Sequence, residues 1–297
     1  MKISLNGRLI DDQEAVISIY DHGFLYGMGL FETFRTYEGR PFLLAQHLER
    51  LTAGCEELGI SFEPDQERVH ELVQSLLQAN GLEDGYFRYT ITAGDDLLGL
   101  PGHSYERPTE ILYVKGLPPR NRQQMRQGKA LQLLDLRRNT PEGTVRLKSL
   151  HYMNNILAKR EMLQYPWTAA STVEGLMLTE EGYVAEGIVS NIFFVSEGKL
   201  CTPALTTGIL PGITRQFIMD IAVEAGVSIE EGLYTVEQLQ QADEILMTNS
   251  IQEISPVHTL WNREGTNVLK GGSLLSVPGL ITEMLMNKYQ QHIGSET

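Results

Sequence analysis

Apolar and polar residues alternate through ISLNGRLI at the start of the chain, with Asn6-Gly7 in the middle. Alternation puts every second side chain on one face of a strand, and Asn-Gly tolerates the positive φ of a two-residue turn. A hairpin is predicted there. The period then changes. Between Phe42 and Leu58, apolar residues fall at Leu43, Leu44, Leu48, Leu51 and Leu58, near the spacing of one helical face, and Gly59 supplies a stop. A second helix is expected over PDQERVHELVQSLLQANG, with Pro64 early, acidic residues in the first turn and Asn80-Gly81 at the end. YFRYTITAG and TEILYVKG return to strand-like composition. These elements make a small N-terminal α+β domain, 1–116.

GLPPRNRQQMRQG has two adjacent prolines, many polar residues and almost nothing to bury. Residues 117–128 are therefore read as an interdomain linker, and 129–297 as a larger C-terminal domain. Its predicted elements begin with a strand, KALQLLDLRR, a turn at NTPEG, a short strand running into Lys148 and a helix through HYMNNILAKREMLQ. EGLMLTEEGYVAEG and SNIFFVSEGKLCTP read as hairpin-like strands, and GILPGITRQFIMDIAVEAG as a glycine-rich turn into a helix. DEILMTNS and EISPVHTLW read as strands, and a helix closes the chain. The order is mixed α+β rather than a regular βα alternation.

At 297 residues and 42% hydrophobic composition, the chain suits two domains, and no apolar run is long enough to predict a membrane span. MKISLNGRLIDD leads into a turn and acidic residues rather than an apolar stretch, so a cytoplasmic protein without a signal peptide is expected. A formal charge of −14 argues against a nucleic-acid partner, which requires clustered cations. It also means that any anionic ligand must find local positive charge. The two cysteines, Cys55 and Cys201, have no metal-ligand spacing, and no metal is expected.

Several residues draw chemical attention. Lys148 follows a strand-like run and precedes a helix; a desolvated lysine amine is a nucleophile toward an aldehyde, although most lysines are solvated surface charges. Glu186, in GYVAEGIVSNIFFV, is bracketed by Ala and Gly within a strand. A carboxylate there needs a partner: a protonated pyridine nitrogen, which makes its ring an electron sink, or an ordinary salt bridge. Asn191 fits a strand edge equally well. In TTGILPGITRQFIMDIA, Gly212 permits close approach to the backbone, and Ile213 and Thr214 open a helix whose free N–H groups attract anions; an ordinary helix start is the alternative. Leu210 packs on a flat ring or into core. Arg50, in QHLERL, is suited to neutralising a phosphate or to pairing with an acid such as Glu49. Ser250, in MTNSIQEISPV, offers a hydroxyl to the same phosphate or simply completes a turn.

These pieces in this order resemble the fold-type IV pyridoxal 5′-phosphate (PLP) enzymes, the group of branched-chain and D-amino acid aminotransferases and 4-amino-4-deoxychorismate lyases. The resemblance runs through SIYDHGFLYGMGLFETFRTYEGRPFLLAQHLERL, RLKSLHYMNNILAKRE, AEGIVSNIFFV, TGILPGITR and MTNSIQEISPV. It implies a two-domain fold whose larger domain has a β-barrel-like sheet core. It further implies that Lys148 forms a Schiff base with PLP and that Glu186 contacts the pyridine nitrogen. Arg50, Ile213, Thr214 and Ser250 would hold the phosphate, with Leu210 against the ring. Tyr152 would reach the phenolic oxygen, at a spacing from the lysine one residue shorter than in the branched-chain enzymes.

DHGFLYGMGLFETFR and RRNTPEGTVRLKS point within the group to the bacterial lyases, which split 4-amino-4-deoxychorismate into 4-aminobenzoate and pyruvate on the way to folate. The alternative is an aminotransferase, because Glu32 in GLFETF matches an acidic position those enzymes share and marks a candidate substrate residue. The D-amino acid enzymes carry an Arg-x-His carboxylate trap where this chain has GDDLLGLPGHSYERP, whose two aspartates repel a carboxylate. The branched-chain enzymes carry a GGNY-type lysine flank that is missing here. A substrate with two carboxylates requires nearby positive charge. Arg146, two residues before Lys148, would share its face on an extended strand, or else pair with a structural acid; Arg88 and Arg107 are further candidates. The family also implies a homodimer acting on a small molecule. A third reading is a PLP-carrying or cofactor-free protein that has lost catalysis.

Overall fold

The computed structural model describes residues 1–118, 121–170, 172–272, 275 and 277–295. The chain divides into two compact units, Met1–Pro119 with Leu147–His151, and Arg120–Arg146 with Tyr152–Ser295.

The first unit contains β1 (Lys2–Leu5), β2 (Arg8–Asp11), α1 (His22–Tyr26), β3 (Gly29–Tyr37), β4 (Arg40–Pro41), α2 (Leu44–Glu57), α3 (Gln66–Asn80), β5 (Gly85–Thr92) and β6 (Thr109–Gly116). Asn6 and Gly7 take φ of 50° and 76°, the paired positive values of the predicted tight turn between β1 and β2. The strands form an antiparallel sheet in the order β2-β1-β6-β5-β3-β4. Helix α3 starts where Asp65 accepts the N–H groups of Glu67 and Arg68, and ends at Gly81 with φ 62°. The apolar stripes of α2 (Leu48, Leu51, Cys55) and α3 (Val69, Val73, Leu76) share one core with Leu30 and Phe34 of β3 and with Phe87, Tyr89 and Ile91 of β5. Burying each such side chain contributes about 1.5–3 kcal/mol, more than helix propensity offers, so this face holds the helices in place.

Lys148 belongs to this unit. The Phe31 N–H donates to the Lys148 carbonyl at 2.9 Å, and the Leu150 N–H donates to the Gly29 carbonyl at 3.0 Å. An isolated antiparallel bridge pairs Leu30 with Ser149. The short strand predicted to run into Lys148 is thus a single bridge on an otherwise irregular segment. The chain changes units between Arg146 and Leu147, which is incompatible with one continuous ladder through both.

The second unit contains α4 (Arg122–Gln127), β7 (Lys129–Leu133), α5 (Met153–Glu161), β8 (Val173–Leu178), β9 (Val184–Gly187), β10 (Asn191–Ser196), β11 (Lys199–Pro203), α6 (Ile213–Glu224), β12 (Ile229–Gly232), α7 (Val236–Gln240), β13 (Glu244–Asn249), β14 (Glu253–Trp261) and α8 (Leu280–Ser295). In the polar 117–128 stretch, α4 is capped by the Asn121 side chain, which accepts from the Gln124 N–H; Pro119 and Arg120 of that stretch lie outside the described residues. The sheet order is β12-β11-β10-β13-β14-β7-β8-β9. β9 ends that order, yet a Gly187 N–H to Ser190 carbonyl bond of 2.7 Å leads it directly into β10, third from the other end. The sheet therefore curls back as a half-barrel around Leu176, Leu178, Ile192, Phe194, Met247, Val257 and Leu260. Among the described residues no helix is long and apolar enough to cross a membrane.

Candidate active site

In the first unit the even-numbered side chains of β3 face α2. Glu32, on that face between Leu30 and Phe34, meets the two polar residues that α2 carries one turn apart, His47 and Arg50. Arg50 donates from Nε to Glu32 Oε1 at 2.7 Å and from Nη2 to Oε2 at 2.6 Å. His47 Nδ1 lies 2.6 Å from Glu32 Oε2. Burial alone would raise the Glu32 pKa, but the Arg50 charge and the hydrogen bonds from His47 and Arg50 outweigh it and bring it to about 2. Burial lowers the His47 pKa, opposed by Glu32 and reinforced by the Arg50 and Lys148 charges. At neutral pH His47 is therefore an uncharged imidazole that donates Nδ1–H to an ionised carboxylate.

The other face of β3 carries Phe31. Lys148 Nζ lies 4.8 Å from its ring centroid and Arg88 Cζ lies 3.5 Å from it. Arg88 is further steadied by its Nε–H bond to Thr90 Oγ1 at 3.3 Å. An aromatic face attracts cations and strips water from them, so Phe31 holds an amine and a guanidinium in one partly dry place.

In the second unit Glu186 is buried and accepts three donors. Arg138 Nε lies 2.7 Å from Oε1, the Leu210 N–H 3.0 Å from Oε2, and Asn191 Nδ2 3.3 Å from Oε2. Asn191 also donates to the Leu210 carbonyl at 2.9 Å. A carboxylate accepts about four hydrogen bonds, so Glu186 has room for one more N–H donor. Arg138 is itself held by Asn154 Oδ1 at 2.7 Å. Helix α6 begins at Ile213 without a side-chain cap, and Thr214 Oγ1 lies 3.2 Å from Ser250 Oγ. Backbone N–H groups at the positive end of a helix, beside two hydroxyls, are suited to an anion. A Cβ on Gly212 would stand 2.0 Å from Asn191 Oδ1, so any larger residue there would force Asn191 to move.

Arg146 does not share a strand face with Lys148. Its Nε–H donates to the Gly208 carbonyl at 2.5 Å, and Nη2 donates to the Asn139 carbonyl, which ties it to the loop before Leu210. Burial and Arg138 lower its pKa to about 10, so it stays charged at neutral pH. Tyr152 precedes the first residue of α5 and is half-buried. Glu32, expected at the substrate, lies beneath Arg50 with a side chain only 1% exposed. Sequence reasoning missed His47 and Arg138. The signals present were the i, i+3 pair in QHLER and the Arg137-Arg138 doublet on an acidic chain.

Residues 29–260 match the family described as amino-transferase class IV. The chain belongs to that family. Its members are PLP enzymes, and this one has the fold-type IV architecture, with helices and sheets and a curled sheet in the larger unit. It is 45% identical to the aminodeoxychorismate lyase of Bacillus subtilis (strain 168) over 86% of this chain and 85% of that one. The branched-chain amino acid aminotransferase of Escherichia coli superposes with a TM-score of 0.83 at 25% identity, covering 100% of this chain and 95% of that one. The 4-amino-4-deoxychorismate lyase of Pseudomonas aeruginosa gives 0.81 at 28%, covering 97% and 98%. Class IV aminotransferases and lyases share this backbone almost equally, so fold alone does not choose between them.

Proposed function

We propose that this class IV protein is a 4-amino-4-deoxychorismate lyase that releases pyruvate and leaves 4-aminobenzoate. The observation that carries the reading is the 45% identity to the Bacillus subtilis lyase. The loop after β5 agrees with it, since His103 Nε2 lies 2.8 Å from Asp96 Oδ2 and is engaged by an acid. The superposition on the E. coli aminotransferase favours the second reading, a transaminase.

The residues fit PLP in three respects. Glu186 has room for a ring N–H, the uncapped α6 start with Thr214 and Ser250 suits a phosphate, and Lys148 offers an amine beside an aromatic face. When bound, PLP supplies an electrophilic carbonyl and an electron-withdrawing ring. In this reading Lys148 holds the cofactor, then takes the proton from the amine-bearing carbon of the substrate. Glu186 would accept the ring N–H, Leu210 would pack against the ring, and Tyr152 would offer its hydroxyl to the phenolic oxygen. The backbone N–H groups at Ile213 and Thr214 and the Thr214 and Ser250 hydroxyls would donate to the phosphate, and Arg50 would supply the countercharge. The ring C–O bond then breaks, enolpyruvate leaves and takes up a proton to become pyruvate, and the substrate ring becomes aromatic, which makes the outcome strongly favourable.

The same reading takes 1–116 and 129–297 as domains joined by 117–128, and the protein as a cytoplasmic homodimer. Apolar Ile19, Phe24, Leu97, Leu98 and Leu100 are exposed in the first unit, where the Leu97 carbonyl lies 2.9 Å from His22 Nε2. A second copy would cover them. The test of function supplies PLP-loaded protein with 4-amino-4-deoxychorismate and, separately, with D-alanine or L-leucine plus 2-oxoglutarate. Equal release of 4-aminobenzoate and pyruvate is expected. Amino-group transfer with no 4-aminobenzoate would overturn the lyase reading.

A further inference from the structure

We propose that Glu32, supported by His47, is a positioning residue for Arg50, and that this pair makes the site select phosphorylated over unphosphorylated pyridoxal. The inference rests on the reading of Arg50 as a phosphate ligand and assigns Glu32 a role away from the substrate.

Arg50 is the more accessible partner, with its side chain 17% exposed against 1% for Glu32. A guanidinium has five N–H donors in one plane, so fixing Nε–H and one Nη2–H on a carboxylate fixes the direction of the whole group. Glu32 binds both, at 2.7 and 2.6 Å. Its own orientation is set by the third bond, from His47 to Oε2, and by its place on β3 between two core residues. The carboxylate therefore acts as a jig, buried and itself held by His47.

A long arginine on a helix otherwise samples many rotamers, and an anion that recruits it must offset that freedom. The jig removes the penalty before the ligand arrives. An incoming dianion therefore meets a guanidinium already oriented by Glu32. The benefit is confined to ligands that carry a phosphate. Because Phe31 next in the chain touches Lys148, one stretch of β3 supports both the amine and the proposed phosphate anchor.

The test titrates the cofactor-free full-length protein, wild type, Glu32→Gln and His47→Asn, with PLP and with pyridoxal, and measures competition by inorganic phosphate. Glu32→Gln is expected to weaken PLP and inorganic phosphate roughly tenfold each, the scale of a lost charge-assisted bond, and pyridoxal by less than about twofold. His47→Asn leaves the carboxylate in place and is expected to lower the PLP-to-pyridoxal ratio about threefold. Equal weakening of PLP and pyridoxal would mean a merely structural role and overturn the inference. A raised KM for substrate with an unchanged ratio would overturn it too, returning Glu32 to the substrate. Should Glu32→Gln fail to fold, an unchanged ratio in His47→Asn decides against it. Wild-type protein that binds neither compound would overturn the cofactor reading, and this inference with it.

Discussion

The two units each contain a buried carboxylate bonded to an arginine, and they differ in which partner is left accessible. In the first, Glu32 is sealed at 1% while Arg50 keeps 17% of its side chain exposed. In the second, Arg138 and Glu186 are equally hidden at 6% each, and the arginine is further tied down by Asn154. Glu32 receives donors from two side chains of one helix, whereas Glu186 receives one cation, one backbone N–H and one amide. The same pairing thus presents opposite charges. Around Glu32 the cation is the accessible end and the carboxylate its support; around Glu186 the arginine is the support, and the carboxylate retains room for a donor.

The largest expected effect is at Lys148, the proposed cofactor amine. Lys148→Ala is expected to lower turnover by on the order of 10²–10⁴-fold while leaving the thermal midpoint close to wild type, measured by product assay and circular dichroism. Next comes the support in the second unit. Arg138→Leu leaves Glu186 buried without its cation and is expected to cost about 3–5 kcal/mol in urea unfolding. An unchanged midpoint would show that Glu186 needs no such support.

The first cluster is probed by pH. The Glu32 pKa is depressed from 4.5 to about 2, so its stabilisation is full above 4.5 and is lost as pH falls toward 2. The loss amounts to roughly 3 kcal/mol. His47, kept neutral with a pKa below 6.5, adds a loss of the same sign that begins as pH falls through 6.5. Glu32→Gln is expected to flatten the drop in urea midpoint between pH 5 and 2.5; an identical slope would contradict the pairing. The smallest expected effect is at the join within the second unit. Gly212→Ala forces Asn191 to move and is expected to cost about 1–3 kcal/mol, with weaker PLP binding measured by absorbance titration.

The periodic parts of the fold were legible in the sequence for local reasons. Asn6-Gly7, the stripes of α2 and α3, and the Gly212-Ile213-Thr214 helix start depend on neighbours in the chain. Lys148 and Glu186 were only weakly marked by their own neighbours, and gained weight from each other, from Arg50 and the Gly212 turn, and from the family pattern. Their partners were not legible, because Arg138 and Glu186 are 48 residues apart and Arg50 and Glu32 are 18 apart, and residue spacing carries no information about such pairs. The strand assumed before Lys148 misplaced Arg146 for a related reason. Period-2 reasoning holds only within a continuous ladder, and this segment has one bridge. The linker reading overlooked α4, whose cap at Asn121 resides in one polar side chain rather than in any apolar stripe.

The central proposal is that Lys148 is the residue that carries the cofactor. Sodium borohydride reduction of the PLP-loaded protein, followed by proteolysis and mass spectrometry, tests it most directly. The account predicts a phosphopyridoxyl group on the Lys148 side chain and on no other lysine. A label on another lysine, or no label on protein that has bound PLP, would contradict it.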